Sequence, residues 1–137
     1  VAVELLVLTP EREAFRGPVA DVVLPGEDGE FAVLERHERL LAPLGIGEAR
    51  IRADGDTRYA AVNQGFAEVT GERVVVLVDT FELAEDIDTA RAEAARERAE
   101  HKLEELRRAE DAEHQMHLYE AALQRAIVRI RVGEKAR

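Results

Sequence analysis

Hydrophobic residues fall in short runs over the first 84 positions and in helical stripes over the rest, and this change of period divides the chain. Residues 1–9 form a β-rich run closed by Thr9-Pro10, and residues 19–24 form a second, bounded by Pro18 and Pro25. Gly26-Glu27-Asp28-Gly29 has the composition of a tight turn, because glycine tolerates positive φ and Asp can bond its own backbone. Runs at 31–34, 40–44 and 47–53 follow, and Asp54-Gly55-Asp56 joins the last to 57–62, a good hairpin signal. A further hairpin links 66–70 to 73–78 through Gly71-Glu72. Many short strands with frequent turns predict an antiparallel β-sandwich or barrel.

Helical spacing takes over near residues 83–86, predicting two units, 1–84 and 85–137. All four prolines and eight of the nine glycines precede residue 85, whereas 86–132 contains neither and is rich in Ala, Glu, Arg and Leu, good helix formers. Asp86 or Asp88 suits the cap of the first helix. One apolar seam runs Ile87, Ala94, Ala95, Ala99, Leu103, Leu106, and a second runs Met116, Tyr119, Leu123, Ala126, Ile127, Ile130. Between them Glu110, Glu113 and His117 hold the positions that would continue the seam, which predicts a polar turn and an antiparallel two-helix hairpin. No Gly or Pro enforces that turn, so a single helix from 86 to 132 is the alternative, on the order of 70 Å long at the α-helical rise. A hairpin and a rod from one sequence would allow a bistable element, which composition alone does not establish.

Composition narrows the function. With 19 basic against 29 acidic side chains the net charge is −10, which argues against a nucleic-acid partner. Acids outnumber bases 16 to 8 before residue 85 but only 13 to 11 after it, so the basic residues concentrate in the helical part. No apolar run approaches the roughly 20 residues that span a bilayer. The start, Val1-Ala2-Val3-Glu4, lacks a basic segment followed by an apolar core, so no secretory leader is expected. Without cysteine there is no disulfide, no thiolate chemistry and no Cys-based zinc site.

Most charges on the helices pair at helical spacing in solvent, as Glu104 with Arg108 or Glu93 with Arg96. Arg91 and Arg98 instead repeat at seven residues on the Ile87, Ala94 stripe, and Arg125 and Arg129 lie one turn apart on the second helix. If the hairpin closes with these faces inward, four guanidinium groups meet with Asp88 and little else to neutralise them. Burying charge unpaired costs several kcal/mol per ion, which calls for an anion, and guanidinium forks suit phosphate oxygens. The alternative is that the stems pack while the heads reach water, or that Glu82 and Glu85 pair with them.

Catalytic patterns are missing. His114 and His117 lack a fixed third ligand and read as a solvated face, and His37-Glu38 lacks the second histidine of a metalloprotease helix. No nucleophile elbow or phosphate-cradling glycine loop ending in Lys-Ser/Thr occurs. A non-catalytic protein is expected, with a β-sandwich enzyme bearing a helical lid, or a generic sandwich and hairpin scaffold without nucleotide binding, as the other classes.

In order and spacing the motifs resemble the epsilon subunit of the rotary F-type ATP synthase, over nearly the whole chain. Leu8-Thr9-Pro10 resembles the close of that family's first strand. Gly29-Glu30-Phe31-Ala32-Val33-Leu34, then His37 and Leu40-Leu41-Ala42-Pro43-Leu44, is similar to its Gly-Glu-x-x-(Ile/Val)-Leu-x-x-His-x-x-Leu-x-x-x-Leu stretch. Asn63-Gln64-Gly65-Phe66-Ala67-Glu68-Val69 resembles its Gly-Gly-Phe-x-Glu-Val hairpin, and Ile87-Asp88-Thr89-Ala90-Arg91-Ala92 the Ile/Leu-Asp-x-x-Arg-Ala signature of members that bind ATP. Arg36 replaces the usual Gly, Glu35 a common Pro, and Gln64 the first Gly of Gly-Gly-Phe; the turn across 107–116 is longer than in the shortest members.

The resemblance implies a sandwich of about ten strands followed by a helical hairpin. It implies a rotor subunit of the central stalk that couples proton-driven rotation to ATP synthesis and has no catalytic residues. The partners implied are the gamma subunit and the c-ring, with the alpha/beta hexamer when the helices extend to oppose ATP hydrolysis. The implied location is the cytoplasmic face of the bacterial plasma membrane, held peripherally. No cofactor is required, and ATP is the implied regulatory ligand, favouring the folded hairpin. Carried over by position, Arg91, Arg98, Arg125 and Arg129 would meet phosphates, and Glu82, Ile87, Asp88 and Ala92 the adenine end. Expected partner contacts are His37, Leu40, Leu41, Pro43, Gln64, Phe66 and Glu68.

Overall fold

The computed structural model describes residues 2–34 and 38–136, so His37, with Glu35 and Arg36, lies outside the described residues. Ten strands come first: β1 (Val3–Leu8), β2 (Glu13–Val19), β3 (Asp21–Gly26), β4 (Gly29–Leu34), β5 (Leu40–Leu44), β6 (Gly47–Ala53), β7 (Asp56–Val62), β8 (Gly65–Val69), β9 (Arg73–Val78) and β10 (Phe81–Leu83). A 3-10 turn at Ala84–Asp86 leads into α1 (Thr89–Leu106) and α2 (Glu113–Glu134). This is the expected sandwich followed by a two-helix hairpin.

The strands pair in the order β10-β7-β6-β3-β5-β8-β9-β1-β2, with β4 on the free edge of β3. Val22 pairs with Val33 of β4 on one edge and Ile51 of β6 on the other, whereas β5 meets β3 only where Gly26 faces Leu44. That single bridge joins two half-sheets, which close over a core of Leu5, Leu24, Leu44, Ile51 and a set of valines, all at most 2% exposed. All pairings are antiparallel except one: β1 runs parallel to β9. Antiparallel neighbours can be joined by a short hairpin, but a parallel pair needs a long crossover, and here the intervening strands of the sandwich supply it.

Two strands escape the periodicity. β2 contains Gly17-Pro18, which reads as punctuation, but it is an edge strand paired only with β1, where proline's missing N–H costs no ladder bond. β10 is three residues long, too short for a period to show. The Asp54-Gly55 hairpin forms as expected, with φ of 53° and 82° at the two turn residues, the positive pair that a two-residue turn between twisted strands demands.

Of the two alternatives for the helical part, the structure adopts the hairpin. Asp88 caps α1, its Oδ1 accepting the Arg91 N–H at 3.0 Å. The turn places Asp111 at φ 55° and buries Ala112. The buried stripe of α1 is Ala92, Ala99, Leu103 and Leu106, and Ala94, expected in the seam, is exposed. On α2, Ala126 is buried as expected, but so are Val128, Val132 and Gly133. Val128 and Val132 pack with Ala61 and Ala84, fastening α2 to the sandwich. A helix held between a second helix and a sheet buries two faces, which a single-stripe reading cannot show. Lys135 adds an ion pair to Glu48 and lies 4.7 Å from the centre of the Tyr59 ring. The 3-10 turn is tied down by Arg58 Nη2, which donates to Glu85 Oε1 at 2.6 Å and holds that carboxyl below its ordinary pKa.

Candidate functional site

Four separated segments of chain build one cleft of about 590 Å³ at the junction of sandwich and helices. The end of β9 and the start of β10 bring Asp79 to Glu82, the link into α1 brings Asp86 to Asp88, and the turn between β1 and β2 brings Thr9, Glu11 and Arg12. On α1 the residues facing it are Arg91, Ala92, Ala95 and Arg98, spaced so that they share one side of the helix. Arg129 enters from α2. Ile87, Ala92, Ala95 and Phe81 give an apolar floor, and the arginines give a charged rim.

Seven of the eight nucleotide-site candidates (Glu82, Ile87, Asp88, Arg91, Ala92, Arg98 and Arg129) line this one cleft. The eighth, Arg125, lines a narrow adjoining recess that shares Thr80, Glu82 and Arg129 with it. Residues up to 47 positions apart in sequence are thus neighbours in space.

The electrostatics correct the sequence reading in two respects. Arg91 and Arg98 do not sit in the interhelical seam. The buried stripe is offset from them, beginning at Ala92, so both side chains are exposed at the cleft. Nor is Asp88 nearly alone, because Glu11, Asp79, Glu82 and Asp86 also line the cleft. Arg129 Nε already donates to Glu82 Oε1 at 2.5 Å, the pairing named as the alternative for Glu82. Glu85 pairs with Arg58 rather than with any of the four arginines. The unpaired guanidiniums are therefore fewer and wetter than expected. Among the described residues Arg91, Arg98 and Arg125 have no carboxylate partner, and their heads reach water or the recess rather than a dry interior.

Sequence reasoning missed Thr9 and Arg12, which enter the cleft from a turn almost 80 residues before α1. The available signal was weak: Thr9-Pro10 marks a turn but not where the turn points.

The partner-contact candidates gather elsewhere, on the outer face of the β5-β8-β9-β1 half-sheet. Pro43, Phe66, Leu77 and Leu8 lie opposite one another on four consecutive strands, and the next row is Leu41, Glu68, Val75 and Leu6. Leu41, Phe66 and Leu77 are 67%, 54% and 52% exposed. Leu40 alternates with Leu41 and so turns to the side of buried Leu44, off this face. Gln64 is exposed in the turn before β8, its N–H bonded to Asn63 Oδ1 at 2.9 Å. Leu8 and Leu77 join the face unforeseen.

The histidines after residue 100 are solvent-facing. His101 lies 3.2 Å from Glu105, and His117 lies 3.9 Å from Glu113 and 3.8 Å from Glu120. Among the described residues no three His, Asp or Glu side chains converge on a common point.

Comparison with known proteins places this geometry. Residues 2–84 match the family described as "ATP synthase, Delta/Epsilon chain, beta-sandwich domain", and residues 85–134 match "ATP synthase, Delta/Epsilon chain, long alpha-helix domain". The chain is 43% identical over 134 residues to the ATP synthase epsilon chain of Caldicellulosiruptor saccharolyticus, covering 98% of this chain and 95% of that one. It is 45% identical over 130 residues to ATP synthase epsilon chain 2 of Syntrophotalea carbinolica, covering 95% and 92%. Among solved structures, a chain of the Euglena gracilis mitochondrial ATP synthase (OSCP/F1/c-ring) is similar in fold, with a TM-score of 0.78 at 22% identity, covering 98% of this chain and 80% of that one. A chain of the Tetrahymena thermophila mitochondrial ATP synthase central stalk and c-ring aligns with a TM-score of 0.53 at 12% identity, covering 98% and 95%.

Proposed function

The chain belongs to the ATP synthase Delta/Epsilon chain family, as an epsilon chain, and from that premise we propose that it is a non-catalytic rotor subunit of the central stalk of a proton-translocating enzyme, with a helical hairpin that senses ATP. The row Pro43, Phe66, Leu77, Leu8 is the face offered to the gamma subunit, with the c-ring as the second neighbour of the sandwich. No described helix is long and apolar enough to cross a membrane, so attachment at the cytoplasmic face of a bacterial plasma membrane runs through these partners. When the helices leave the sandwich they reach the alpha/beta hexamer and oppose ATP hydrolysis.

One observation carries the ATP reading: candidates from β10, the α1 start and α2 share one cleft and its adjoining recess, and those two spaces exist only while the hairpin lies on the sandwich. Ile87 and Ala92 provide apolar contact for an adenine, Glu82 and Asp88 acceptors for its amino group, and Arg91, Arg98, Arg125 and Arg129 the phosphate donors. A ligand shifts an equilibrium only by its differential affinity for the two states. An extended rod separates the α1 arginines from Arg125 and Arg129, so ATP favours the folded hairpin. Phosphate must compete with Glu82 for Arg129, which tempers the affinity.

Calorimetric titration of ATP into the purified chain tests this, repeated with Arg91→Ala and Arg125→Ala. Each variant is expected to bind about tenfold to a hundredfold more weakly, the loss of a charge-assisted hydrogen bond. Identical heats for all three proteins would take these arginines out of the site, and no heat in any of them would leave a scaffold without nucleotide binding. The isolated chain is expected to hydrolyse no ATP in the same solutions.

A further inference from the structure

We propose that Arg12, in the turn between β1 and β2, is a phosphate-binding residue of the cleft, so that the triphosphate of a nucleotide bridges that turn to α1 instead of resting on helical arginines alone. This rests on the reading of the cleft as an ATP site and adds a phosphate donor from the β1–β2 turn.

The turn that carries Arg12 is fixed at both ends. The Thr9 N–H donates to the Arg12 carbonyl oxygen at 2.9 Å, the Thr9 hydroxyl donates to the same oxygen at 3.1 Å, and the Arg12 N–H donates back to that hydroxyl oxygen at 3.3 Å. Thr9 and Arg12 both line the cleft, so a held backbone keeps this side chain at the wall of the space that Arg91 and Arg98 also line. Of the other described arginines of the sandwich, Arg16 pairs with Glu13, Arg50 with Glu30, Arg52 with Asp21 and Arg58 with Glu85, while Arg39 and Arg73 do not line the cleft. Arg12 is exposed and has no carboxylate partner among the described residues, although Glu11 adjoins it and Asp79 shares the cleft. Arg91 and Arg98 are likewise unpaired. Three free guanidiniums, two from a helix and one from a strand turn, face a space large enough for a polyanion. A single phosphate satisfies one or two such forks, whereas a triphosphate distributes three charged groups among them.

The bridge has a mechanical consequence. Phosphate contacts confined to α1 and α2 would hold the hairpin shut but leave Glu82 of β10 as the nucleotide's tie to the sandwich. A contact to Arg12 makes lifting α1 break the ligand's own bonds, so occupancy opposes extension directly.

Titrations of ATP and ADP into the full chain, compared among wild type, Arg12→Ala, Arg12→Lys and Arg16→Ala, test the assignment, with hydrogen exchange of residues 9–12 followed in parallel. Arg12→Ala is expected to weaken ATP about tenfold and to shrink the preference for ATP over ADP. Arg12→Lys should recover part of the loss, Arg16→Ala should bind as wild type, and ATP should slow exchange at 9–12 in wild type and Arg16→Ala but not in Arg12→Ala. A wild type that binds ATP beside an Arg12→Ala variant of equal affinity overturns the role of Arg12 and leaves the ATP site standing. A wild type that gives no heat with ATP overturns both.

Discussion

Asp111 takes a φ of 55° in the turn between the helices, a conformation in which an L side chain is strained and glycine is not. In an uninterrupted rod the same residue would be helical, where glycine is about 1 kcal/mol worse than a good helix former. Asp is itself a poor helix former, so Asp111→Gly moves both ends of the equilibrium in one direction, toward the hairpin, by about 1 kcal/mol in all. The chain has no cysteine, so a pair of introduced thiols can be labelled without interference. Distance measurements between labels at positions 101 and 134 should show a smaller extended population in Asp111→Gly and a larger one in Asp111→Ala. Equal populations in both variants would show that the turn does not set the balance. Gly133 carries the complementary constraint: a Cβ there would lie 2.5 Å from Thr89 Cγ2 and 3.4 Å from Ile87 Cγ2, so glycine lets the end of α2 close on the start of α1 beside the cleft. Nothing in the sequence distinguishes such a glycine from a helix terminator, because the neighbour it admits is more than 40 residues away.

At the scale of elements, eight of the ten strands and both helices follow from local pattern, and the exceptions share a cause. β2 and β10 are strands because of what they pair with, β1 and β7, rather than because of their own alternation. The parallel β1–β9 pair is invisible to hairpin signals for the same reason. The helical stripe was displaced because α2 answers to two neighbours. Its attachment to the sandwich is slight: four buried residues, two of them alanines, against eighteen in the sandwich core. Such an interface is suited to release. Val132, fully buried there, is expected to lose about 1–2 kcal/mol as Val132→Ala, by methyl removal and partial collapse. Hydrogen exchange should report faster opening of α1 and α2 while amides of β3 and β6 keep their protection. Uniform loss across the sandwich would mean that the two parts open as one unit.

For the whole molecule, two surfaces divide the work. The cleft joins sandwich to helices, and the apolar row from Pro43 to Leu8 covers the outer face of the β5-β8-β9-β1 half-sheet. Exposed residues away from special features change stability by less than about 0.5 kcal/mol. Phe66→Ser and Leu77→Ser should therefore melt nearly as wild type yet retain the gamma subunit at least about tenfold less well in co-purification, as expected when apolar anchors of an interface are removed. Unchanged retention would move the gamma contact off this face. ATP affinity in these variants should stay as in wild type, since neither residue lines the cleft.

The sequence alone determined the change from period two to helical period, the turns at Asp54-Gly55 and after Gly26, the family, and most of the candidates that line the cleft. These are read from neighbours along the chain, where backbone sterics and amphipathic spacing act within a few residues. Only the tertiary structure decided that Arg91 and Arg98 stand at an open cleft, that Glu82 already holds Arg129, and that Arg12 lines the same cleft from the sandwich. Those outcomes depend on closure of the sheet and on which faces α2 must bury. Both are set by contacts between segments far apart in sequence, and no local pattern records them.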